Sequence, residues 1–225
     1  MNAVNQTSQP PIQDAFRMSA VLCLVAAGAG VLVVSVYELT QPRIAANERR
    51  AVEAAVFDVL PEAASRRTFL ATDGGFVPRE DTATGGPAVH AGYGKDGELL
   101  GVALQAAGQG YQDVITVLYG YDPDEGEVTG MKVLRSKETP GLGSRIGTDP
   151  DFLAAFRGLD ARVGSGGNME HRIEVVRAGE AAEPWQVDAI TGATISSKAV
   201  GTMVGESLKE WAPIINAHYE DFLQE

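Results

Sequence analysis

The chain has 225 residues, 44% hydrophobic and 21% charged, the proportions of a folded chain rather than a disordered one. Eighteen Lys and Arg against 30 Asp and Glu leave a net charge of -12, which argues against a nucleic-acid surface, because neutralising phosphates needs clustered positive charge. The one cysteine, Cys23, excludes a disulfide within the chain and any cysteine-rich zinc or iron-sulfur site, and His90, His171 and His218 lack metal-ligand spacing.

A tail over residues 1–17 leads into Met18 to Tyr37, "MSAVLCLVAAGAGVLVVSVY", which runs 20 residues without a charge. At about 1.5 Å per residue it reaches roughly 30 Å, the hydrocarbon thickness of a bilayer. Arg17 is the only basic side chain before it, Asp14 offsets that charge, and no Ala-x-Ala cleavage site follows, so the run is expected to be a retained transmembrane helix rather than a signal peptide. Arg43, Arg49 and Arg50 outnumber Arg17 beside the membrane. By charge count alone, the rest of the chain would be cytoplasmic.

Residues 38–64 read as a stalk helix, with Ile44, Val52, Val56 and Val59 or Leu60 at helical spacing and Pro61 as its stop. The soluble domain is expected over residues 65–225. Residues 71–97, rich in Gly, Thr and Asp, give no periodic signal and are expected to be loops with at most one short strand. Leu99 to Ala106 and Val114 to Tyr121 are strand-like, and "DPDEG" at Asp122 to Gly126 turns the second into Val128 to Leu134, making a hairpin.

After a loop, "SKETPGLGSRIG" from Ser136 to Gly147, Asp149 and Pro150 read as N-cap and first residue of a short helix through Phe152, Leu153 and Phe156 to Gly158. Val163 to Asn168 is a turn, and Arg172 to Arg177 and Gln186 to Ile190 are further strands. A helix then begins near Ser196, with Val200, Met203, Val204, Leu208 and Trp211 on one face and an interruption at Pro213. The predicted fold class is α+β: a single N-terminal transmembrane helix, then a domain with a central antiparallel sheet and flanking helices.

Two segments carry chemistry. "DAITGATISS", Asp188 to Ser197, is a strand-to-helix connection in which Gly192 permits a tight turn and Ala193 leaves space. The helix start supplies unpaired N–H groups and partial positive charge, a place that favours phosphate. By itself it reads equally as capping by Thr194, Ser196 or Ser197. "ETPGLG", Glu138 to Gly143, is a loop in which Pro140 fixes φ and the glycines permit backbone approach to a flat ligand.

Together, and behind one N-terminal membrane helix, these segments resemble the covalent-FMN subunits of ion-pumping electron-transport complexes: the G subunit of the Rnf type and its relative, the C subunit of the Na+-translocating quinone reductase. The resemblance covers the anchor, "VITVLYGYDPDEGEVTGMKVLRSKETPGLG" and "DAITGATISS", nearly the whole chain. It implies FMN attached by a flavin transferase through a phosphoester to Thr194, the last residue of the Thr191-Gly192-Ala193-Thr194 motif, with Asp188 upstream and Ser196 as the trailing hydroxyl. It places Glu138, Thr139, Leu142 and Gly143 beside the isoalloxazine, and Arg177 where the family often has a Lys near the ring.

The chain departs from the family pattern at "GQGYQ", Gly108 to Gln112, which replaces a Tyr-Gly-Gly-like stretch, and at Ser136, where a His commonly stands. The function implied is an electron relay, not catalytic on its own, within an Rnf-type complex that couples electron transfer between ferredoxin and NAD to ion movement. Partners would be the other membrane and peripheral subunits and the transferase. The family's flavin domain faces the periplasm or exterior, and that expectation is preferred to the arginine count. The alternatives are a stand-alone membrane-anchored FMN carrier serving another reductase, or a non-redox assembly module of the same fold.

Overall fold

The computed structural model describes residues 12–72, 74–79 and 87–223. The chain divides into two compact units, Met1–Arg50 and Ala51–Glu225.

One helix, α1, runs 48 residues, Ile12–Val59, with Pro42 inside it. It starts before the expected membrane run, and residues 1–11 of the expected tail lie outside the described residues. Over residues 14–50 the apolar side chains, Leu22, Leu24, Val31 and Leu32 among them, are all exposed, and α1 is long and apolar enough to cross a membrane. A water-facing helix would not carry such a surface on all sides.

The second unit is built on a seven-stranded antiparallel sheet in the order β2-β1-β3-β4-β5-β6-β7. The strands are β1 (Ser65–Thr72), β2 (Gly75–Pro78), β3 (Ala88–Tyr93), β4 (Leu99–Gln109), β5 (Val114–Asp122), β6 (Glu127–Arg135) and β7 (Leu159–Asp160). The expected hairpin is β5–β6, and Asp122 serves its turn by accepting from the N–H groups of Asp124 and Glu125. A short helix, α2 (Pro150–Ala154), follows the 3-10 turn Gly143–Gly147, and Asp149 caps it by accepting from the Phe152 N–H as its sequence indicates. Helix α3 (Thr194–Ala217) and the 3-10 turn Tyr219–Phe222 complete the domain.

Strand alternation sorts side chains to two cores. Val102 and Leu104 of β4 with Val117, Tyr119 and Tyr121 of β5 join Val200, Val204 and Leu208 of α3 in the larger one. Ala103 and Leu118 face the other way, against Ala55, Val56, Val59 and Leu60. This second layer is tight: a Cβ on Gly120 would stand 2.6 Å from the Val59 carbonyl oxygen, and the Thr129 hydroxyl donates to that oxygen at 2.5 Å.

The structure corrects three expectations. The stretch 71–97 is not mainly loop, because it contains β2 and β3 and the end of β1, residues 73 and 80–86 lying outside the described residues. Small residues hid β3: Gly92 stands in it because a side chain there would meet Leu60 Cδ1 at 2.7 Å. The strands expected around 172–177 and 186–190 are short, β8 (Glu174–Val176) and β9 (Gln186–Asp188), and pair in parallel with each other rather than joining the main sheet. Pro213 does not interrupt α3. It removes one N–H near the helix end, while buried Ala212 and Ile215 on either side hold that turn to the core.

Candidate functional site

Strand β9 ends at Asp188, and the chain reaches α3 through a turn in which the Ala193 N–H donates to the Ile190 carbonyl at 2.9 Å. Gly192 occupies φ +86°, a conformation that disfavours any side chain. Helix α3 then starts at Thr194, two residues before the expected Ser196, with Ala193 at the N-cap position and no side chain capping it. The two serines are engaged elsewhere. Ser197 accepts from the Ile190 N–H at 3.1 Å and donates to the Ala193 carbonyl at 3.0 Å. Ser196 donates to the Glu138 carboxylate at 2.5 Å. The hydroxyls that the sequence offers as caps therefore leave the helix start open, with its orphan N–H groups and positive end.

Beside that start lies a cleft of about 370 Å³ lined by Tyr111, Glu138, Thr139, Leu142, Gly143 and residues 192–196. Of the residues singled out from sequence, the fold gathers Gly192, Ala193, Thr194, Ser196, Glu138, Thr139, Leu142 and Gly143 around this one space. Thr194 is exposed within it. Thr191, also exposed, is outside its lining. A larger groove of about 960 Å³ runs between Gln105–Gln109 and the outer face of α3. It shares only Ile195 with the cleft and contains none of those residues, so the smaller space is the candidate site.

Two more of those residues, Asp188 and Arg177, also lie apart from the cleft lining. The Asp188 carboxylate accepts from the Glu180 and Ala181 N–H groups, each at 3.0 Å, bracing the loop after β8. Arg177 projects from that loop, largely exposed, with Glu180 at 4.0 Å.

The fold gives some of these residues their geometry and brings further ones to the site. Tyr111, from the turn before β5, is 67% exposed at the cleft, and Leu142, from the "ETPGLG" loop, is 53% exposed. Arg145, in the 3-10 turn, donates to the Thr191 carbonyl at 3.2 Å while pairing with Asp149 at 2.6 Å. Gln112 gives the Glu138 carboxylate a backbone N–H at 2.9 Å. Burial would by itself raise the Glu138 pKa, but the Ser196 hydroxyl and the N–H groups of Gln112, Asp113 and Tyr111 outweigh it and hold the carboxyl below the ordinary glutamate value. Of the residues not named as site residues from sequence, Tyr111 and Gln112 carried a signal, the variant "GQGYQ" stretch, and Arg145 carried none.

A partly apolar cleft beside an uncapped helix N-terminus can take a flat ring system that carries a phosphate. Residues 110–209 match the FMN-binding domain family, and residues 1–59 match the RnfG N-terminal region. The chain is 30% identical over 189 residues to the G subunit of an ion-translocating oxidoreductase complex from Methanosarcina acetivorans, covering 82% of this chain and 87% of that protein. It is 27% identical to the corresponding subunit from Vibrio vulnificus, covering 91% and 90%. Among solved structures it is similar to Shewanella oneidensis NqrC, with TM-score 0.50, 19% identity and 74% and 85% of the two chains covered. It is also similar to the C subunit of the Na(+)-translocating NADH-quinone reductase from Parabacteroides distasonis, with TM-score 0.51, 24% identity and coverage of 72% and 79%.

Proposed function

The chain belongs to the RnfG family, the G subunits of Rnf-type ion-translocating oxidoreductase complexes, and on that premise we propose that it is their membrane-anchored flavoprotein, relaying electrons through an FMN joined to Thr194 by a phosphoester. A flavin supplies one- and two-electron redox chemistry when bound. The protein's own residues need only hold, orient and shield it.

The observation that carries the reading is the place of Thr194: first residue of an uncapped helix, exposed, and in the lining of the cleft. The negative charge of a phosphodiester on its Oγ is favoured there by the helix end. Thr191 carries the same hydroxyl but stands outside the lining, within the turn that precedes the helix. Tyr111 and Leu142 present an aromatic and an aliphatic surface on two different loops of the cleft, suited to packing against a flat ring. Residues 18–37 span the membrane as the anchor, residues 38–64 form the stalk, and residues 65–225 form the flavin domain on the periplasmic or outer side. A covalent tether suits that side, because cofactor released there is lost by diffusion. The other complex subunits are the electron partners, and a flavin transferase performs the attachment.

The test is flavin fluorescence that stays with the polypeptide through denaturing electrophoresis after co-expression with a flavin transferase. Thr194→Ala should abolish it and Thr191→Ala should reduce it less. Persistent fluorescence in Thr194→Ala would overturn the attachment site. A dark wild type would favour a non-redox assembly module.

A further inference from the structure

Glu138 is 5% exposed, and both of its carboxylate oxygens are already taken. Oε1 accepts the Gln112 N–H at 2.9 Å, and Oε2 accepts the Ser196 hydroxyl at 2.5 Å. Its backbone is fixed as well, its own N–H donating to Ser136 Oγ at 3.1 Å. One side chain thus joins three segments far apart in sequence: the turn before β5, the "ETPGLG" loop and the first turn of α3.

The surrounding glycines are shaped to this carboxylate. A Cβ on Gly110 would stand 2.6 Å from Glu138 Oε1. A Cβ on Gly143 would collide with Oε2 and come within 2.7 Å of Ser196 Oγ. From sequence the glycines of "ETPGLG" suggest room for a flat ligand. At Gly143 the room is filled by Glu138 and Ser196 instead.

These three segments are also the three walls of the cleft, carrying Tyr111, Leu142 and Thr194. A carboxylate this buried, with each oxygen already accepting a bond from the protein, is engaged within the wall of the cleft rather than turned towards a ring, and a charge-assisted hydrogen bond is about twice as strong as a neutral one. We infer that Glu138 is a positioning residue, a buried clasp that sets the spacing between the Tyr111 wall and the Thr194 helix, rather than a direct contact of the cofactor. This rests on the cleft being the flavin site, as proposed above.

The experiment uses the full chain with and without co-expressed flavin transferase. In flavin-free Glu138→Gln, which keeps the side chain's size and removes its charge, amide hydrogen exchange at Gln112 and Asp113 should accelerate by at least about tenfold, a loss of roughly 1.4 kcal/mol of local protection. In the transferase-treated protein the same variant should stay labelled at Thr194, but its flavin fluorescence should rise severalfold as Tyr111 leaves quenching distance. In a Tyr111→Ala background Glu138→Gln should add little, since two residues acting through one contact are non-additive. Ser196→Ala, which spares the bond to Gln112, should change the fluorescence but leave exchange at Gln112 slow.

Unchanged exchange in Glu138→Gln, or full additivity with Tyr111→Ala, overturns the clasp. If Glu138→Gln does not fold, unchanged fluorescence in Ser196→Ala does so. A dark wild type instead overturns the flavin reading, and the exchange experiment still decides on the clasp.

Discussion

The Arg145 guanidinium donates to the Thr191 carbonyl at 3.2 Å, tying the 3-10 turn after "ETPGLG" to the turn that precedes α3. Its other nitrogen pairs with Asp149 at 2.6 Å, and Asp149 in turn caps α2. One cation therefore connects the cap of one helix with the approach to another.

Replacing that cation tests the connection. The Arg145–Asp149 pair is partly exposed, with 43% of the arginine side chain open, so its ionic part should contribute little. The bond to Thr191 should contribute about 0.5–1.5 kcal/mol. Arg145→Met is expected to lower the unfolding free energy by about that amount and to slow covalent FMN loading, because the Thr191–Thr194 turn loses its outer brace. Denaturant unfolding and the time course of gel fluorescence measure the two effects. A loading rate equal to the wild type's would confine Arg145 to stability.

A second expectation concerns His90 and acid. His90 is 7% exposed on β3, with Nδ1 3.0 Å from the Thr68 hydroxyl on β1. Burial first, then the positive charges of Arg66 and Arg79, lower its pKa from 6.5 to about 4, Glu53 opposing. The folded pKa is below the unfolded one, so folding releases a proton between those values. The stability His90 allows is complete above pH 6.5 and is lost as pH falls towards 4, up to about 3 kcal/mol. His90→Asn should flatten the pH dependence of thermal unfolding over that window. An identical pH profile in the variant would remove His90 as its source.

Legibility followed the range of the interactions. The β5–β6 hairpin was readable because Asp122 and Gly126 act within their own turn. The Asp149 cap was readable for the same reason. Strand β3 was not, because Gly92 answers to Leu60, 32 positions earlier in the sequence. At the site, the motif pointed to Thr194, whereas the capping hydroxyls it offered were diverted by partners no local pattern shows, Ser196 by Glu138 and Ser197 by Ile190. Glu138 was legible as a site residue but not in its geometry, since its hydrogen-bonding partners lie 26 residues upstream and 58 downstream.

Leu142 tests the part of the cleft wall formed by the "ETPGLG" loop. It is 53% exposed, and a Cβ on Gly192 would lie 3.9 Å from its Cδ2, so it stands beside the turn before α3. Leu142→Ala should change the unfolding free energy of flavin-free protein by no more than about 0.5 kcal/mol, as for most surface positions. It should leave the covalent bond in place and alter the visible absorbance and fluorescence of the attached flavin. Spectra matching the wild type would put the ring elsewhere in the cleft.

On the side of the membrane, flanking charge and site chemistry point in opposite directions. Arg43, Arg49 and Arg50 follow the apolar run and only Arg17 precedes it, which by the positive-inside rule holds the following domain in the cytoplasm. Glu38, Glu48 and Glu53 dilute that bias only slightly, since acidic residues contribute little to the rule. Against it stands the chemistry proposed for the site: a phosphoester at Thr194 would serve best where no intracellular pool can replace lost cofactor. We expect the outer location. Single cysteines in a Cys23→Ser background distinguish the two, one at Gly166, which has open space around it, and one at Asn5 on the other side of the span. An impermeant thiol reagent on intact cells should label Gly166→Cys at once and Asn5→Cys only after permeabilisation. The reverse pattern would place the flavin domain in the cytoplasm, and the three arginines would then have set the orientation.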